Sequence, residues 1–140
     1  MGTHPTILQA MTPFPVTVRT SDSCLVARAM MAGHEIHHLP VLDDADAVIG
    51  ILTLADLDLA KALMDDEEMA VAGLCVRAPV RVDVDESLKR AVRAISRAGA
   101  DAAIVERQGR LAGILMLSDI GDVLLGLLPG PFFDQGGPVA

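Results

Sequence analysis

The chain has 140 residues, which suits one compact domain or two small ones sharing a core. Hydrophobic residues make up 51% of it, yet only three are aromatic and none is Trp or Tyr, so Val, Ile, Leu, Met and Ala must build the core. The net charge of −8 repels polyanions, and with no Trp or Tyr to stack on bases the composition argues against nucleic-acid binding.

The opening stretch "MGTHPTILQAMTPFPVTV" has no Lys or Arg before Arg19 and carries prolines, so it does not read as a secretory signal. No apolar run, "VLLGLLPGPFF" included, reaches the roughly 18 residues of a membrane helix. A cytoplasmic chain without membrane contact is the expectation. Residues 16–18, "VTV", read as a short β segment, and "SDS" after it reads as a helix start. In the helix that follows, Val26, Ala29 and Met30 fall on one face, which predicts that this face packs. "HLPVL" is a strand, "DDADA" a turn, and "VIGIL" a strand suited to burial on both faces. A helix begins near Leu54. The connecting stretch "DDEEMAVAGLCVRAP" starts acidic and turns apolar at Met69, which predicts a short packed helix. The same order then returns: "VRV", a helix start at "DVDES", the strand "AAIVE", the turn "RQGR", the strand "LAGIL", and a helix near Ser118.

That return is a true repeat. Val16 aligns with Val80, Ser23 with Ser87, Ala27 with Ala91 and Val41 with Val105 at an offset of 64. One extra residue in "DDADA" shortens the offset to 63, and Gly50 then meets Gly113 while Asp56 meets Asp119. "GILTLAD" thus reappears as "GILMLSD", with Met116 in place of Thr53. Each copy is β-α-β-β-α, a small sheet with helices on one face, and a piece of that size buries little apolar area alone. The expected fold is α/β, with the two copies packed sheet to sheet about a pseudo-two-fold axis. The division falls at residues 8–67 and 68–128, with a tail at 129–140. Cys24 and Cys75 lack any CxxC spacing and read as two reduced thiols.

Two chemistries fit "TLAD". A Thr at the N-cap and an Asp at N3 form a capping box, worth roughly 0.5–2 kcal/mol. The same helix start attracts phosphate, and an acidic residue one turn on can hold both hydroxyls of a ribose. In "HEIHH", His34 with His37 or His38 has helical metal-ligand spacing, but Pro40 disfavours helix just there, so no metal site is expected. No Ser-His-Asp order, paired carboxylates or P-loop is present, so the chain does not read as an enzyme.

The stretch "HHLPVLDDADAVIGILTLADL" resembles the CBS domain, a family named for cystathionine beta-synthase whose members occur in tandem as Bateman modules. The resemblance covers residues 8–128 and both copies. It implies a stand-alone regulatory pair that requires no cofactor and binds an adenine nucleotide (AMP, ADP or ATP), S-adenosylmethionine or an NAD-type dinucleotide between its copies. Such a pair passes the binding to an unidentified regulated protein. Carried over by position, Asp56 takes the ribose and Thr53 approaches phosphate. Thr17 and Val18, with Val82 in the second copy, border the adenine, and Ile36, His37, His38 and Pro40 form the strand entry facing the ligand. Ser118 and Asp119 hold the matching place in the second copy. There Met116 has lost the hydroxyl, and Asp101 with Ala102 replaces His37 with His38. Phosphorylated ligands are therefore expected to prefer the cleft of Thr53. Because the clefts of a Bateman module lie between its halves, His37 could serve either one. A ligand-free interaction domain with a decayed site is the competing reading. The resemblance also implies a homodimer, a flat disc closed through apolar helices such as "LDLAKALM" and the tail "IGDVLLGLLPGPFF", with Phe132 and Phe133 latching onto the neighbour.

Overall fold

A serine opens the first helix of each copy: Ser23 Oγ accepts from Val26 N, and Ser87 Oγ accepts from Arg90 N, both at 3.1 Å. Such N-caps stabilise a helix by about 1 kcal/mol and fix where it begins. The computed structural model describes residues 5–74 and 78–121. A short helix α1 (Ile7–Ala10) and strand β1 (Thr12–Pro13) come first. The first copy follows as β2 (Val18–Arg19), α2 (Cys24–His34), β3 (His38–Leu42), β4 (Val48–Thr53) and α3 (Leu54–Met64). After a 3-10 turn at Val71–Gly73 the second copy runs β5 (Val80–Asp83), α4 (Leu88–Arg97), β6 (Ala102–Arg107) and β7 (Arg110–Met116), and a helix begins at Leu117. The β-α-β-β-α order is thus present twice.

The first copy forms the three-stranded sheet β2-β3-β4, with β2 parallel to β3 and β3 antiparallel to β4. The second forms β7-β6-β5 with the same directions, and β1 adds to its edge by pairing antiparallel with β7. The β6–β7 turn places Gln108 and Gly109 at φ 54° and 76°, a left-handed backbone that glycine adopts without Cβ clash. Helices cover one face of each sheet and enclose a core there: Ala27, Met31, Leu39 and Leu52 in the first copy, Ala91, Ile95, Val105 and Leu115 in the second. On the opposite faces Pro40, Ala102, Ile104 and Ile114 are buried as well, where the two sheets meet. The Arg81 guanidinium bridges the copies by donating to the Val48 carbonyl.

Two local expectations change. The buried face of α2 carries Cys24, Ala27 and Met31, whereas Val26 and Ala29 are exposed. This helix is apolar on several sides, so periodicity alone did not select the packed one. "VIGIL" is not buried on both faces, because Ile49 is 40% exposed; in the second copy Gly113, Ile114 and Leu115 are all buried. The connecting segment contributes a single 3-10 turn with Val71 fully buried.

The segment leading into each copy fills the core of the other. Ile7 and Ala10 of α1 belong to the second copy's core, while Val71, ahead of β5 and inside the expected bounds of the second copy, belongs to the first. Isolated β-bridges repeat this exchange: Thr6 pairs with Ser87 and Ser23 with Ala70, partners related by the 64-residue offset. Thr6 and Gln9 cap α1 with a reciprocal box, a signal readable in "TILQ". Gly113 lets this edge close, since a Cβ there would lie 2.6 Å from Met11 Sδ and 2.8 Å from the Thr12 carbonyl oxygen. Cys24 is a buried free thiol, and Cys75 lies outside the described residues.

Candidate functional site

Both chemistries read into "TLAD" start from one local structure. Asp56 N donates to Thr53 Oγ1 at 3.1 Å, and Thr53 N donates to Asp56 Oδ2 at 3.0 Å, so Thr53 and Asp56 form the capping box of α3. The first N–H of that helix, on Leu54, donates to the His37 carbonyl at 2.9 Å, and in the second copy Leu117 N donates to the Asp101 carbonyl at 2.9 Å. Met116 stands where Thr53 stands and offers no hydroxyl.

Each of these helix starts borders an open cleft between the copies. The first cleft, of about 330 Å³, joins Thr53, Asp56, Ile51 and His38 to Pro79, Val80 and the segment 98–102 of the second copy. The second, of about 560 Å³, joins Ile114, Met116, Ser118 and Asp119 to Phe14, Pro15, Val16 and the segment 34–38 of the first copy. The linings correspond by the repeat offsets, so the two clefts are related by the pseudo-two-fold. Both volumes lie in the range of roughly 300–1,000 Å³ typical of small-molecule sites.

Three proposed site residues, His38, Thr53 and Asp56, meet in the first cleft. Ile36, His37, Ser118 and Asp119 meet in the second, with His38 lining both. Four line neither: Val18 and Val82 are buried in the cores, Pro40 is buried opposite Ile51, and Thr17 is half-buried. The apolar walls at the strand mouths are instead Val16 and Val80, two residues earlier, with Ile51 and Ile114 across from them. The offset pairing Val16 with Val80 was the available signal for them.

The copies cross over. His37, expected near Thr53, lies in the cleft of Asp119, and Asp101 faces Thr53 and Asp56 instead. The imidazole expected beside the phosphate of the first cleft therefore lies in the second, which holds His34 and His37 together with Glu35 and Asp119 and shares His38 with the first. Asp56 and Asp101 are acidic in the first cleft, and no Lys or Arg lines it among the described residues. Its imidazole is of little help to an anion. Burial pushes the His38 pKa below the ordinary value despite the opposing pull of Asp101, whose Oδ2 is 3.9 Å from Nε2. Nε2 is buried without a hydrogen-bond partner, a state a ligand group could relieve. The helix of α2 ends at His34, with Glu35 left-handed at φ 55°, so the histidines of "HEIHH" do not share a helix face. Among the described residues no group of three His, Cys, Asp or Glu is placed to hold a metal.

Phe14 was not anticipated. It is 92% exposed at the second cleft, in a left-handed backbone at φ 48° with prolines on either side. A bulky residue there costs on the order of 1–3 kcal/mol.

A pair of pseudo-symmetric clefts between two β-α-β-β-α units defines a tandem ligand-cleft module. CBS domains match this chain at residues 7–62 and 71–126, and the chain belongs to the CBS domain family. It is 28% identical over 134 residues to inosine-5′-monophosphate dehydrogenase of Thermoplasma acidophilum, covering 83% of this chain and 26% of that enzyme. It is 37% identical over 62 residues to homoserine O-acetyltransferase of Methanocorpusculum labreanum, covering 44% of this chain and 13% of the enzyme. The chain thus spans about a quarter or less of these curated relatives. A CBS domain pair crystallised with 5′-methylthioadenosine and S-adenosyl-L-methionine is similar in fold, with TM-score 0.79 at 21% identity over 89% of this chain and 99% of the other. CBSX2 in complex with AMP gives 0.72 at 24% identity over 87% and 97%.

Proposed function

We propose that this chain is a regulatory module that binds adenosyl ligands, adenine nucleotides (AMP, ADP or ATP) first among them, in the clefts between its CBS repeats. The observation that carries this reading is the recurrence of one arrangement. At both clefts an Asp one turn into a helix, Asp56 or Asp119, faces a slot walled by aliphatic side chains of both copies. A carboxylate there suits the two ribose hydroxyls, and Ile51 with Val80, or Ile114 with Val16, suits the faces of a purine. The solved CBS pairs with AMP, 5′-methylthioadenosine and S-adenosyl-L-methionine support the same ligand class. An NAD-type dinucleotide carries the same adenosyl group. The module transmits binding to a regulated protein, catalyses nothing itself, and works in the cytoplasm; among the described residues no helix is long and apolar enough to cross a membrane.

Titration calorimetry and thermal shift with AMP, adenosine and S-adenosylmethionine test the reading. A ligand specific to the folded state stabilises by about 2.7 kcal/mol at 100 times its dissociation constant, so a clear rise in melting temperature is expected. No heat and no shift at millimolar concentration of all three would end it.

The module pairs with a second copy. Helix α3 exposes Leu59, Leu63 and Met64, with Leu63 at 76%, and α2 adds Leu25 and Val26. Apolar helix surface of this kind usually marks an interface, and two-fold pairing is the commonest way to cover one. The tail with Phe132 and Phe133 lies outside the described residues. Light scattering behind a sizing column should give twice the chain mass of 14.7 kDa, and Leu63→Glu should halve it. A wild-type monomer at micromolar concentration would remove the dimer.

A further inference from the structure

We infer that Phe14 is the base-stacking residue of the second cleft and that this cleft, not the one holding Thr53 and Asp56, is the stronger site for phosphorylated adenosyl ligands. The inference rests on the adenosyl reading above and adds to it which cleft takes a nucleotide and which side chain grips the base.

Only three aromatic side chains occur in the chain, and Phe14 is placed where folding gains least from it. It is 92% exposed, so it contributes almost nothing to either core, and its left-handed backbone is one a bulky residue rarely adopts. The conformation is held from both sides. Phe14 N donates to the Ala112 carbonyl at 3.2 Å, extending the β1–β7 edge, and Pro13 and Pro15 restrict the chain around it. A strained, solvated aromatic held at the lip of a cleft is preorganised to lie against a flat ring. Purines stack well on such a platform. The wall beside it carries the imidazoles of His34 and His37, whose ring N–H groups can donate to a phosphate oxygen. In the first cleft the pseudo-symmetric positions hold Ala78 in place of Phe14, Ala98 in place of His34 and Asp101 in place of His37. The first cleft therefore has neither the platform nor these imidazoles, while the carboxylates are matched in number, Asp56 and Asp101 in the first cleft against Glu35 and Asp119 in the second.

Calorimetry with AMP on the full chain and on Phe14→Ala is the test, with Asp56→Ala and Asp119→Ala assigning the two sites. Phe14→Ala should weaken the stronger AMP site by about tenfold without lowering the melting temperature. Phe14→Gly should weaken it equally while raising the melting temperature of the free protein, an effect a merely structural residue would not give. Because the chain has no Trp, Phe14→Trp supplies a single indole whose emission should change as AMP saturates. AMP affinity in Phe14→Ala within twofold of wild type, an indole that does not respond at saturating AMP, or a stronger AMP site lost with Asp56→Ala but not with Asp119→Ala would each overturn the inference while leaving the adenosyl reading standing. Absence of AMP, adenosine and S-adenosylmethionine binding to the wild type would overturn both.

Discussion

Asp56→Ala should weaken adenosine binding at the first cleft by at least tenfold while the chain stays folded. A charge-assisted hydrogen bond contributes roughly 1.5–3 kcal/mol, and every 1.4 kcal/mol is about a factor of ten, so a carboxylate holding a ribose accounts for that loss. The same substitution removes Thr53 N's partner at 3.0 Å and half of the α3 capping box, which costs roughly 0.5–2 kcal/mol of stability. The two effects separate in a variant that damages only the cap. Thr53→Ala deletes the acceptor of Asp56 N but keeps the carboxylate, so it should lower the melting temperature comparably with a smaller loss of affinity. Calorimetry showing equal adenosine affinity for wild type and Asp56→Ala would leave capping as the sole role of this pair.

Ile7→Ala should destabilise the protein by about 2–5 kcal/mol, the range for truncating a fully buried Ile. Ile7 is 0% exposed and belongs to the core of the second copy, far along the chain from the helix that carries it. Against a typical total of about 5–15 kcal/mol, the loss is a large share. Leu8→Ala is the control: Leu8 is 55% exposed on the same short helix and should change stability little. Urea unfolding followed by circular dichroism reads both. A change under about 0.5 kcal/mol for Ile7→Ala would mean that the leading helix does not complete the second core.

Much of the architecture was legible before any coordinate. The strand β3 occupies the five residues of "HLPVL", and α3 begins at Leu54 behind its Thr53 cap, because alternation, turn residues and caps act over a few neighbouring positions. The 64-residue offset doubled each signal and identified two equivalent units, and "TLAD" disclosed its capping box because that box is made of hydrogen bonds three residues apart. The tertiary structure alone decided what the units exchange. It set α1 into the second core and Val71 into the first, and chose Ala27 and Met31 of α2 over Val26 and Ala29. It also separated His37 from Thr53 and put Asp101 opposite Asp56. These outcomes depend on how two similar sheets bury their second faces against each other. Pro40 and Ile104 state that those faces are apolar, but apolar burial is non-directional, and the pairing of distant residues follows only once the whole surface is closed.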